Sequence, residues 1–223
     1  MKKKHPYSRQ YLDKQDIDNV IKTLKSDVIA RGKKIEEFEK KICKFVGVKY
    51  AVAVNSATSG LHIACLALGI KKNDLIWTVP NTFVASANAG LYCGANIDFV
   101  DIEWKTGNID ITKLEKKLKY AKKKPTAIIP VHFSGQPTDQ EKIYKLSKQY
   151  NFKIIEDASH SLGAKRNNVK VGNCKWSNIT VFSFHPVKII TTGEGGMVTT
   201  NDKKLFEKLK IFRNHGITKN LKI

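Results

Sequence analysis

The chain has 223 residues and 41% hydrophobic content, enough to bury one sizeable core. A formal charge of +20 would suit an anionic polymer or surface, but only Arg9, Arg31, Arg166 and Arg213 are arginine and the lysines are spread over nearly every helical segment. This is a compositional drift toward lysine, which argues against nucleic acid and membrane partners. Cys43, Cys65, Cys93 and Cys174 lie far apart without a Cys-x-x-Cys pair, so they read as reduced core residues and form neither a disulfide frame nor a zinc site. No apolar segment follows Met1-Lys-Lys-Lys-His5 and no run approaches the length of a membrane span, so the expectation is a soluble, cytoplasmic protein.

In chain order, residues 13–25 and 33–45 read as two helices split by Ala30-Arg-Gly32, expected to pack against the main domain. Short Val- and Ile-rich runs at 50–54, 75–79, 97–100, 126–131, 153–155, 179–182 and 197–200 predict strands. Between them, 59–68, 85–91, 112–119, 139–150 and 203–213 have helical period. The alternation predicts one α/β domain with a mainly parallel central sheet covered by helices on both faces.

Ligands of such sheets collect beyond the carboxyl ends of the strands, and four of those ends carry chemistry. Asn55-Ser-Ala-Thr-Ser-Gly60 opens a helix with small hydroxyl residues, which fits a phosphate cradle and equally an ordinary N-cap. Pro80-Asn-Thr-Phe83 puts an aromatic ring at a strand end, as a stacking surface or as core. Glu156-Asp-Ala-Ser-His160 delivers two adjacent carboxylates toward the ligand edge, and a buried carboxylate needs a partner. A protonated pyridine nitrogen would suit Asp157, with a helix N-cap as the structural alternative.

The fourth end, Thr180 to Thr200, sets Lys188 between two β-branched runs and just before a glycine-rich turn. In an apolar frame the ammonium form is disfavoured, and the free amine becomes a nucleophile for carbonyl compounds. The order phosphate cradle, aromatic, aspartate, lysine, each after a strand, points to pyridoxal phosphate.

The chain resembles the sugar aminotransferases of the DegT/DnrJ/EryC1/StrS family, within the fold type I class of pyridoxal phosphate enzymes. The resemblance is carried by Pro6-Tyr-Ser-Arg-Gln10, Val54-Asn-Ser-Ala-Thr-Ser59, Thr82-Phe-Val-Ala-Ser-Ala-Asn88, Pro130-Val-His-Phe-Ser-Gly-Gln-Pro137, Glu156-Asp-Ala-Ser-His160, Phe182-Ser-Phe-His-Pro-Val-Lys188 and His215-Gly-Ile-Thr218. It covers essentially the whole chain and is strongest with members serving pseudaminic acid biosynthesis.

The resemblance implies that Lys188 holds the cofactor and shuttles the proton, Asp157 pairs with the pyridine nitrogen, and Thr58, Ser59 and Ser183 bind the phosphate. It further implies that Phe83 stacks on the ring and His160 lies near the phenolic oxygen, while Tyr7, Arg9, Arg31 and His185 are substrate contacts or structural residues. The implied reaction takes an amino group from L-glutamate to the C4 ketone of a UDP-linked 4-keto-6-deoxy amino sugar, in a homodimer. Members that instead dehydrate a keto-sugar carry histidine where this chain has Lys188. No histidine spacing suggests a metal site. Family members continue past the His-Gly-Ile-Thr motif into a second, smaller domain, so the expectation is a large cofactor domain over 1–223, including an N-terminal helical segment over about 1–48, with the small domain absent and activity uncertain.

Overall fold

The computed structural model describes residues 8–217. Two helices come first, α1 (Lys14–Leu24) and α2 (Lys33–Val46), followed by β1 (Tyr50–Val54), α3 (Ala57–Ala67), β2 (Leu75–Thr78), α4 (Ala85–Tyr92), β3 (Asn96–Phe99), α5 (Ile111–Tyr120) and β4 (Ala127–Ile128). The second half holds α6 (Gln140–Tyr150), β5 (Lys153–Asp157), the strand pair β6 (Lys165–Arg166) and β7 (Val169–Lys170), then β8 (Ile179–Ser183), β9 (Gly196–Thr200) and α7 (Lys203–Arg213). Seven strands form one sheet in the order β1-β9-β8-β5-β4-β2-β3. The β8-β5-β4-β2-β3 run is parallel, whereas β9 is antiparallel to both of its neighbours.

The period of two along each strand divides the core. Ile76, Ile129, Ile155, Val181 and Val198 face α3, α4 and α7. Trp77, Ile128 and Ile154 face α5 and α6, and Phe182 and Met197 face α2. Each fully buried branched or aromatic side chain contributes about 1.5–3 kcal/mol relative to exposure. Helix α3 is buried on most sides, and Gly60 permits its close approach to the sheet: a Cβ there would stand 2.9 Å from Val181 Cγ1 and 3.1 Å from Val198 Cγ2.

The structure modifies three expectations. The strand expected at 126–131 keeps its ladder only at Ala127–Ile128, because Pro130 has no N–H and the chain turns there toward β5, where Val131 bridges Asp157. Helix α2 packs against the domain through Ile42 and Val46, but α1 buries no residue, so the two N-terminal helices are not one packed pair. The β6–β7 hairpin, missed from sequence, turns through Asn167 and Asn168 at φ 49° and 61°, the left-handed region asparagine tolerates.

Candidate active site

Alternation along β5 decides what its carboxylates can do. Ile155 points toward α3 and α4, so Asp157 points to that side and Glu156 to the other. Asp157, opposite Val181 in the ladder, is 4% exposed. Its Oδ1 accepts from the Ser159 amide at 3.1 Å and the Ser159 hydroxyl at 2.6 Å, and its Oδ2 accepts from Ser86 Oγ at 2.5 Å. No helix follows Asp157, so the N-cap alternative does not apply; the carboxylate instead closes a tight turn at Ser159.

The expectation that both adjacent carboxylates reach the ligand edge is corrected. Glu156 is buried against α6, accepting from Gln140 Nε2 at 2.6 Å and Thr180 Oγ1 at 2.8 Å, with His132 Nε2 at 3.6 Å. Burial pushes its pKa up, but His132, Gln140 and Thr180 outweigh burial and hold it below the ordinary value. His132, to which the sequence alone assigns no role, is fully buried and accepts the Thr138 amide on Nδ1 at 3.0 Å, which leaves Nε2 to face Glu156.

Lys188 lies on the loop between β8 and β9. That loop is tied at its base by Phe184 N–H to Gly195 O at 2.9 Å and Thr192 N–H to Phe184 O at 3.0 Å, and the Lys188 amide donates to His185 O at 2.9 Å. The β-branched residues on either side of the lysine do not form a buried strand: Val187 before it and Ile189 and Ile190 after it are exposed. The lysine is half-buried because it enters a cavity. Burial lowers its pKa below the ordinary lysine value, partly offset by attraction to Asp157.

The cavity measures about 440 Å³, within the range of small-molecule sites. Thr58, Phe83, Asp157, His160, Ser183, His185 and Lys188 all line it. Phe83 is 73% exposed, so it is not core. Burial first, and then the nearby Lys188 charge, lower the His160 pKa against the opposing pull of Asp157.

The start of α3 forms one wall. Ser56 is the N-cap, its hydroxyl accepting the Ser59 amide at 3.1 Å, while the amides of Ala57 and Thr58 begin the helix ahead of any intrahelical acceptor. Gly196 at the start of β9 leaves room for this turn: a Cβ there would stand 2.8 Å from the Ala57 nitrogen and 2.9 Å from Phe182 O.

The remaining candidates scatter. Ser59 donates to Asn55 Oδ1 at 2.5 Å and lines an adjoining cleft of about 780 Å³ rather than the Lys188 cavity. Arg31 lines that same cleft, its Nη2 2.9 Å from His215 Nε2. Arg9 is exposed on the segment ahead of α1, and Tyr7 lies outside the described residues. Ser86 and Ser159, the partners of Asp157, were not singled out from sequence. Ser86 had a usable signal, since it stands four residues after Thr82 in the same turn as Phe83. Among the described residues no cluster of His, Cys, Asp or Glu could hold a metal ion, and no helix is long and apolar enough to cross a membrane.

The profile of the DegT/DnrJ/EryC1/StrS aminotransferase family matches residues 10–222. The chain belongs to this family. It is 47% identical over 213 residues to the UDP-4-amino-4,6-dideoxy-N-acetyl-β-L-altrosamine transaminase of Campylobacter jejuni subsp. jejuni serotype O:23/36 (strain 81-176), covering 96% of this chain and 56% of that family member. Its backbone superposes on Helicobacter pylori PseC, an aminotransferase involved in the biosynthesis of pseudoaminic acid, with a TM-score of 0.89 at 39% identity, covering 99% of this chain and 59% of that one. NtdA of Bacillus subtilis, solved with bound cofactor PMP, gives a TM-score of 0.83 at 27% identity, over 100% of this chain and 52% of that one. The chain thus spans a little over half the length of these family members.

Proposed function

We propose that this chain carries the cofactor-binding unit of a pyridoxal phosphate-dependent sugar aminotransferase. It moves an amino group from L-glutamate to the C4 keto group of a UDP-linked 4-keto-6-deoxy amino sugar, and it works as a homodimer. Residues 1–223 form one unit, with the N-terminal helical segment of about 1–48 as part of it. The observation that carries this reading is the entry of Lys188 into one cavity with Asp157, Phe83 and Thr58. Likeness to the Campylobacter transaminase and to PseC supports the choice of substrate.

The donor set fits the cofactor. A lysine with a lowered pKa is an amine ready for a carbonyl, and a buried carboxylate is the counter-ion a ring cation needs. When bound, pyridoxal phosphate supplies an electron sink for the carbon that loses its proton. Lys188 Nζ would hold it covalently and, once released, carry that proton. Asp157 would pair with the ring nitrogen, Phe83 would cover one ring face, and His160 would lie near the phenolic oxygen. Thr58 and Ser183, with the free amides opening α3, would hold the phosphate at the positive helix end, whereas Ser59 stands in the adjoining cleft with its hydroxyl on Asn55. His185 stands at the cavity rim for substrate, and Arg31 would reach it from the adjoining cleft; Tyr7 and Arg9 are assigned the same role from the N-terminal segment. A keto-sugar dehydratase is the second reading, and Lys188, where such members carry histidine, speaks against it.

The test is reduction of the protein with borohydride in the presence of pyridoxal phosphate, followed by peptide mapping. Label is expected on Lys188 and is expected to vanish in Lys188→Arg, since a guanidinium stays protonated. A label confined to other lysines overturns the assignment. Mass spectrometry of a reaction with glutamate and a UDP-linked 4-keto sugar is expected to show the amino sugar and 2-oxoglutarate.

A further inference from the structure

Two side chains outside the proposed cofactor contacts, Thr82 and Ser86, form a hydroxyl chain ending on Asp157. Ser86, fully buried in the first turn of α4, stands 2.5 Å from Asp157 Oδ2, and Thr82 Oγ1 stands 2.7 Å from Ser86 Oγ. A carboxylate oxygen only accepts, so Ser86 spends its single hydrogen on Asp157 and must accept from Thr82. Thr82 spends its one hydrogen on Ser86, so the Phe83 carbonyl 3.1 Å from its Oγ1 takes no bond from it, and Thr82 is tied to Phe83 as its neighbour in the chain. The other carboxylate oxygen is held by Ser159 through amide and hydroxyl. Each oxygen is therefore fixed from a different side, Oδ1 by its own turn and Oδ2 by α4.

We propose that Ser86 is the positioning residue of the site: its hydroxyl sets the plane of the Asp157 carboxylate toward the ring nitrogen, and Thr82 couples that setting to the turn that presents Phe83. This inference rests on the cofactor reading above. The geometry explains why a serine is fully buried at the foot of a helix whose other buried residues are Ala85, Ala89 and Gly90. A hydroxyl buried among small apolar residues costs stability unless it is hydrogen-bonded, and here both of its bonds lead to the site. With the hydroxyl gone, Oδ2 keeps no protein donor among the described residues and the carboxylate is held from the Ser159 side alone.

The experiment compares the parent protein, Ser86→Ala and Ser86→Thr. It measures pyridoxal phosphate affinity by absorbance titration, the ¹⁵N chemical shift of ring-labelled cofactor, and borohydride labelling of Lys188. In Ser86→Ala the dissociation constant is expected to rise about 10- to 100-fold, the range of a hydrogen bond to a charged group. Its ring ¹⁵N signal is expected to move toward that of an unprotonated pyridine, while labelling of Lys188 persists at saturating cofactor. Ser86→Thr, which keeps the hydroxyl, is expected to restore both readouts. An unchanged ring signal in Ser86→Ala, or equal losses in the alanine and threonine variants with thermal unfolding unchanged, overturns the positioning role. Absence of Lys188 labelling in the parent itself would count against the cofactor reading instead.

Discussion

At the scale of single residues, the proposed site rests on a buried carboxylate, Asp157, and an amine, Lys188, in one cavity. Asp157→Asn keeps the size of the side chain but trades one acceptor oxygen for an NH2 donor and removes the charge that a ring cation needs. The variant is expected to retain cofactor while proton abstraction from L-glutamate slows by several orders of magnitude. A single-turnover rate within about tenfold of the parent, a barrier change below roughly 1.4 kcal/mol, would contradict the assigned role. Lys188 reacts as the free amine, and its pKa is lowered by burial. Capture of pyridoxal phosphate is therefore expected to rise with pH and to level off below the pH at which an ordinary lysine would. Stopped-flow capture rates across a pH series read this directly, and a midpoint at or above the unperturbed value of 10.5 would refute it.

At the scale of elements, the cavity depends on how close α3 and β9 approach. Gly196→Ala would bring a Cβ against backbone atoms at 2.8 and 2.9 Å, which no side-chain rotation relieves. The start of α3 must move, so cofactor affinity is expected to fall more than about tenfold, with a stability loss of about 1–3 kcal/mol measured by urea unfolding. On the opposite face of β5, Glu156 links that strand to α6 and β8. Its carboxyl is held below its ordinary value of 4.5, so the stability it contributes is present above that pH and is lost as pH falls through the lower folded value. Glu156→Gln puts a donor where three donors converge and is expected to cost about 1–3 kcal/mol at neutral pH. It should also flatten the acid limb of the stability profile. Acid titration of unfolding in both proteins checks the slope, and parallel limbs would show that the carboxyl is not the group responsible.

At the scale of the whole molecule, α1 stands apart. Ile17, Val20, Ile21 and Leu24 recur at helical spacing on one stripe, and all four are exposed. Contiguous apolar surface of this kind drives association. Residues 1–223 are expected to self-associate, and Ile17→Lys with Leu24→Lys is expected to shift the sedimentation profile toward the monomer. If the double variant sediments as the parent does, the stripe is not the contact.

What the sequence determined by itself is local. The Val and Ile runs located all seven strands of the main sheet, because a strand buried on both faces is largely apolar, although the exposed edge strand β3 was marked only by Ile97, Phe99 and Val100. The strand-end positions of Asp157, Ser183 and Lys188 were legible for the same reason, since the chain leaves a parallel sheet toward its ligand edge. The tertiary structure decided everything that depends on direction and pairing. It ran β9 against the direction of both its neighbours in the main sheet, and it sent Glu156 and Asp157 to opposite faces, a consequence of the two-residue period that the adjacent letters conceal. It joined Ser86 to Asp157 across 71 positions of chain. A hydroxyl acquires a role only through the partner that folding brings to it, and no local pattern of residues encodes that distance.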